Sequence, residues 1–109
     1  MRLFSFFNSK GMNDYVQETR SVEGAVIIDV RSPAEFAQGH VKGAVNIPSP
    51  VIKKTRQLIP DKQTPLYLHC LSGARSAGAA RALKALGYVN VTNMGGISHY
   101  DGELVKGSK

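Results

Sequence analysis

One cysteine, no tryptophan and fewer acids than bases mark this chain of 109 residues. A lone cysteine cannot close an intrachain disulfide, and without a CxxC pair or a Cys/His cluster the chain offers no ligand set at metal-binding spacing. The histidines, His40, His69 and His99, are too scattered to suggest a site by spacing. Long apolar runs are absent as well. The N-terminal patch Leu3 to Phe7 is broken by Ser5 and is too short for a signal-peptide core or a membrane span, so the chain reads as cytoplasmic with no membrane partner. Acids number 8 against 14 bases, a formal charge of +6. That balance admits nucleic acid, an anionic surface or a small anionic substrate. Only Lys53, Lys54 and Arg56 cluster, no basic stripe alternates with aromatics, and no nucleic-acid partner is expected.

What is present is the usage of an ordinary soluble domain: 42% apolar and 20% charged residues, with eleven glycines and five prolines. A chain of this length forms one domain over residues 1–109, with a core over about residues 12–102 and short tails. Four apolar runs bounded by turn residues predict strands: Ala25 to Val30, Ala44 to Ile47, Leu66 to Cys70 and Val89 to Asn93. Ser32, Pro33 and Glu35 form an N-cap, a first-turn proline and a capping-box acid, which opens a short helix. Ser49 and Pro50 repeat that opening, and Asn13 to Glu23 is a further helix. The clearest helix runs from about Gly73 to Leu86, with Ala77, Ala80, Leu83 and Leu86 on one face and Gly87 as its left-handed stop. Strands alternating with helices, and AVIID apolar on both faces, argue for an α/β fold with a parallel sheet covered on both sides. Sites in such sheets lie beyond the carboxyl ends of the strands. Leu3 to Phe7 is a possible edge strand, and Glu103 to Lys109 reads as a frayed tail.

The cysteine falls at that position. In LHCLSGARS, Cys70 closes a strand, and the loop Leu71, Ser72, Gly73, Ala74, Arg75, Ser76 feeds a helix N-terminus. Unpaired N–H groups there favour an anion, and the best-placed anion is the Cys70 thiolate. Such a setting lowers a cysteine pKa from about 8.5 towards roughly 3.5–7.5, and the guanidinium of Arg75 acts in the same direction. Gly73 lets successive N–H groups curl inward as a nest, to which Ser72 and Ser76 can add hydroxyls. A lone cysteine elsewhere would read as a small buried hydrophobe; the loop argues otherwise.

CLSGARS resembles the C-x-x-G-x-R-S active-site loop of the rhodanese family. IIDVRSPAEFAQGHVKGAVNIP is similar to the family's D-V-R…E-F/Y…G-H-I-x-G-A-x-N-I-P segment, and GYVNVTNMGGI to its G-Y/F-x-x-V-x-x-L-x-G-G stretch. The resemblance implies a rhodanese-like parallel sheet of about five strands with helices on both faces. It implies a stand-alone thiosulfate sulfurtransferase: Cys70 takes the sulfane sulfur of thiosulfate as a persulfide and passes it to a thiol or cyanide, with no metal or organic cofactor. Leu71 to Ser76 would hold the substrate, and Arg75 either orients its oxygens or closes the loop by pairing with an acid. Asp29 and Arg31, at the end of a strand, are expected as a structural ion pair or cap, with Glu35 as further support. His69 should project away from Cys70 and pack, His40 should be packed with its hydrogen bonds satisfied, and His99 exposed. Two positions depart from the pattern. Lys42 replaces a proline, and Tyr100 stands where many members carry tryptophan, at the expected edge of the active-site pocket.

Two rivals share the loop. Cysteine phosphatases use H-C-x5-R and arsenate reductases a similar longer loop, whereas only Leu71, Ser72, Gly73 and Ala74 separate Cys70 from Arg75; the shorter ring suits sulfur better than a tetrahedral phosphate. The other is a non-enzymatic sulfur carrier or protein-interaction module. The expected partners are a small anionic sulfur donor and a small or protein thiol acceptor, the chain itself being a monomer or weak homodimer. With no second cysteine, discharge of a persulfide needs an external thiol.

Overall fold

A computed structural model describes residues 10–108, so Leu3 to Phe7 lies outside the described residues. Strand β1 (Val26–Asp29) is apolar on both faces because it sits inside a sheet covered on both sides. With β3 (Val45–Asn46), β4 (Leu66–Cys70) and β5 (Val91–Gly96) it forms a four-stranded parallel sheet in the order β3-β1-β4-β5. Helices α1 (Met12–Thr19), α2 (Pro33–Gln38), α3 (Thr55–Leu58) and α4 (Ala74–Ala85) surround it, with 3-10 segments at Ser49–Lys54 and Ile97–His99.

The period-2 alternation of strand side chains divides the core. On one face Ile28, Val30, Leu66 and Leu68 pack with Ala79, Ala80 and Leu83 of α4. On the other, Ile27, Tyr67 and Met94 meet Met12 and Val16 of α1 and Phe36 of α2. Small residues on α4 let its backbone approach the sheet, and Leu83 fills the remaining space with no exposure. Truncating such a leucine to alanine costs about 2–5 kcal/mol.

Helix α2 begins as expected: the Ser32 hydroxyl accepts from the Glu35 N–H at 3.2 Å, and Glu35 accepts from the Ser32 N–H at 2.9 Å. Other expectations need correction. Among the described residues the sheet has four strands against about five expected, and the other two strands, β2 (His40–Val41) and β6 (Leu104–Val105), pair antiparallel in a separate ribbon. Glu103 to Lys109 is therefore not simply a frayed tail: Leu104–Val105 is hydrogen-bonded to β2, and the Gly107 N–H donates to the Ala37 carbonyl at 2.9 Å. The fourth sheet strand runs Val91–Gly96 instead of Val89 to Asn93, since Val89 projects into solvent and the N–H of Leu66 already engages the Asn90 carbonyl. Helix α1 stops at Thr19, where its hydroxyl turns back to the Val16 carbonyl at 2.6 Å and competes with helix propagation. No helix among the described residues is long and apolar enough to cross a membrane.

Candidate active site

Strand β4 delivers Cys70 to the carboxyl edge of the sheet, where the chain must turn at once into α4. Gly73 makes the turn at φ +109°, a left-handed conformation that strains any side chain. The far wall is Gly96 of β5. A Cβ there would run into the carbonyl oxygen of Leu71 and lie 2.6 Å from Ser72 Cα, so β5 can lie against the loop only without a side chain at this point. The Ser98 N–H holds the Leu71 carbonyl at 3.1 Å.

Within this ring the Cys70 sulfur, on a residue only 1% exposed, receives the Gly73 N–H at 3.0 Å and the Ser76 N–H at 3.4 Å, with the Ser76 hydroxyl at 3.5 Å. Burial pushes the thiol pKa up, but the Ser76 hydroxyl and the N–H groups of Ser76, Gly73 and Ser72 outweigh it, leaving the pKa below that of an ordinary thiol. The structure thus brings Cys70, Ser72, Gly73 and Ser76 together as a nest for negative charge on sulfur. Leu71, Ser72, Ala74 and Arg75 are exposed on its outer rim.

Arg75 pairs with an acid. Its Nη1 and Nη2 reach the two carboxylate oxygens of Glu35 at 2.8 and 3.0 Å, so α2 and the start of α4 are tied across the loop. The Arg75 bonds, aided by the Ser32 N–H, hold the Glu35 carboxyl down at about 2. Behind the loop, Arg31 grips Asp29 through Nε at 3.0 and 3.1 Å and Nη2 at 2.7 Å, and donates to the Gly39 carbonyl at 2.7 Å. Both side chains are buried, and the Arg31 N–H adds a bond to Asp29 at 3.0 Å. His69 lies on this face, opposite Cys70, with Nδ1 at 3.2 Å from the Cys70 carbonyl and Nε2 at 3.6 Å from Asp29 without a hydrogen-bond partner. His40 is buried and stacks on Phe36, with ring centroids 3.6 Å apart, and its Nδ1 contacts the Phe36 carbonyl at 2.7 Å; His99 is exposed.

Tyr100 is half-buried on the face of the sheet that α1 covers. The 3-10 turn before it carries it to a cavity of about 240 Å³ with Val16, Arg20, Val41 and Glu103, a lining that includes no residue of the Cys70 loop. Sequence reasoning missed Asn93, whose Oδ1 accepts the Ser76 hydroxyl at 2.7 Å. Its only sequence signal was the asparagine at the end of an expected strand. The facing of His69 and Asp29 was missed too, because it follows from the parallel register Asp29↔His69. Among the described residues no group of three or more His, Cys, Asp and Glu is placed to hold a metal.

Comparison with known proteins agrees with this geometry. The sequence matches the rhodanese-like domain family over residues 12–103. It is 38% identical over 81 residues to the thiosulfate sulfurtransferase PspE of Escherichia coli K12, covering 73% of this chain and 78% of that one. Over 80 residues it is 36% identical to a sulfurtransferase of Allochromatium vinosum, covering 73% and 74% of the two chains. A solved E. coli rhodanese with anions superposes at a TM-score of 0.71 with 37% identity, covering 76% of this chain and 99% of that structure.

Proposed function

The chain belongs to the rhodanese family of sulfurtransferases, and from that membership we propose that it moves sulfane sulfur from thiosulfate through a Cys70 persulfide to a thiol or cyanide. The observation that carries this reading is the convergence of the Gly73 and Ser76 donors on the Cys70 sulfur. The thiolate's electron pair forms a bond to the outer sulfur of thiosulfate. The S–S bond of thiosulfate breaks and its pair departs on sulfite. In the second half-reaction an acceptor thiolate, or cyanide, attacks the terminal persulfide sulfur, and the pair of the broken bond returns to Cys70. The same N–H ring serves the thiolate before loading and after discharge. The chain has one cysteine, so the acceptor thiol comes from outside it.

Mass spectrometry of the reduced protein after thiosulfate tests this directly. One added sulfur is expected on the wild type and none on Cys70→Ser, with thiocyanate released on adding cyanide. Sulfur transfer retained by Cys70→Ser would overturn the proposal.

One observation favours a second reading, a carrier loaded by a partner's persulfide. The guanidinium of Arg75 is engaged by Glu35 through two bonds, and a persulfide donor without a sulfonate would leave that pair intact. Loading by glutathione persulfide, with no mass change in thiosulfate, selects this reading.

A further inference from the structure

The Ser76 hydroxyl has one proton and four neighbours able to take it: Asn93 Oδ1 at 2.7 Å, the Gly73 carbonyl at 3.1 Å, and Cys70 Sγ and the Gly95 carbonyl at 3.5 Å each. A hydroxyl donates once. The amide of Asn93 is held with its oxygen inward, because Oδ1 also accepts the Gly95 N–H at 3.0 Å and only an oxygen can do so. That bond depends on a bulge in β5: Leu68 pairs with Asn93 and His69 with Gly95, so Met94 is the extra residue and Asn93 can fold back over the helix start. Against a neutral thiol, which is a weak acceptor and lies farther away, Asn93 takes the proton.

We propose that Asn93 is a positioning residue for the nucleophile: it holds the Ser76 hydroxyl proton while the sulfur is neutral and releases it to Sγ only as negative charge collects there. A charged sulfur is the stronger acceptor. Asn93 is exposed, so water replaces the donor it gives up. The backbone N–H groups of Gly73 and Ser76 are then permanent supports of the sulfur, and the hydroxyl a reserve support. Competition from Asn93 keeps the thiolate from being over-stabilised, and a less stabilised thiolate is the better nucleophile. The catalytic consequence rests on the reading of Cys70 as the sulfur acceptor; the competition for the proton does not.

The ionisable groups facing Cys70 are Arg75 of α4 with Glu35 of α2, and behind it His69 of β4 with Asp29 and Arg31. Lys53 and Lys54 of the 3-10 segment packed on α4 are exposed, and β5, Val91–Gly96, carries no ionisable side chain.

With a single cysteine, the ultraviolet absorbance of the thiolate, taken as the difference from Cys70→Ser to remove the four tyrosines, titrates Cys70. Asn93→Ala is expected to lower its pKa by about half a unit, the scale of one weakly competing hydrogen bond. Ser76→Ala is expected to raise it, and Asn93→Ala added to Ser76→Ala to change nothing further. An Asn93→Ala shift that is absent, upward, or undiminished in the Ser76→Ala background overturns the proposal. Should the alanine variant fail to fold, Asn93→Asp replaces it: the carboxylate grips the hydroxyl harder and raises the pKa, and this rise must shrink when Ser76 is alanine. Thiosulfate loading followed by mass in the same variants separates the two claims. Coupled titrations in a protein that never loads refute the sulfurtransferase reading alone, and normal loading with uncoupled titrations refutes the role of Asn93 alone.

Discussion

His69 and Cys70 are consecutive residues of one strand, both sealed from solvent, and their surroundings are opposite in kind. The sulfur faces more donors than a neutral thiol can use. The imidazole faces too few partners: Nε2 looks at the Asp29 carboxylate across 3.6 Å, and that carboxylate is already held by Arg31. A strand end can thus carry a surplus of hydrogen-bond donors on one face and a deficit on the other. The surplus is useful where charge must come and go. The deficit is tolerated where a charge must stay fixed, because the Asp29–Arg31 pair anchors the end of β1, the neighbour of the strand from which the loop springs.

Breaking the fixed side has the largest expected effect. Asp29→Ala leaves the Arg31 guanidinium buried without its counter-charge, and urea unfolding should show a loss of about 3–5 kcal/mol. Next is the wall of the donor ring. Gly96→Ala drives a methyl into the Leu71–Ser72 backbone. Overpacking of this kind costs about 1–3 kcal/mol in thermal unfolding, and displacing the loop by about 1 Å should slow sulfur loading roughly 10²-fold. Normal loading by Gly96→Ala would show that the ring does not depend on β5.

The imidazole itself sharpens the contrast through pH. Burial lowers the His69 pKa, opposed by the Asp29 charge, so the folded protein keeps the ring neutral where the unfolded chain takes up a proton. Stability should therefore fall as pH drops below about 6.5, the unfolded value. His69→Leu should flatten that slope in urea titrations, and an unchanged slope would assign it to other groups. The smallest effect belongs to the rim. Glu35, held down at about 2 chiefly by Arg75, stabilises the fold above its unfolded value of 4.5, and this contribution disappears as pH falls through about 2. The pair is partly exposed, so Glu35→Gln should cost only about 0.5–1 kcal/mol near neutral pH. It should also remove that part of the acid-side decline in stability.

Legibility in the sequence followed the same division. The cap at Ser32 and Glu35, the doubly apolar β1 and the turn from Cys70 into α4 are local, so residue type and spacing carried them. The partners that complete the site come from elsewhere in the chain. Asn93 reaches Ser76 only because a bulge turns it, and a bulge leaves no periodic mark. Asp29 faces His69 through a parallel register that a single sequence does not state. Strand β6, at two residues, is too short to show alternation, and a chain direction set by the turn at Ile97–His99 decided where Tyr100 went.

The reliance of the sulfur ring on β5 also places its assembly in time. Cys70 is made before Asn93, Gly95 and Gly96, and during synthesis from the N-terminus the thiol spends an interval without the strand that closes its surroundings. Until β5 and the 3-10 turn after it dock, the Leu71 carbonyl lacks the Ser98 N–H and the Ser76 hydroxyl lacks Asn93, so the sulfur has only the donors of its own loop. The full set of contacts around the sulfur is completed late in folding, when the chain also shields it.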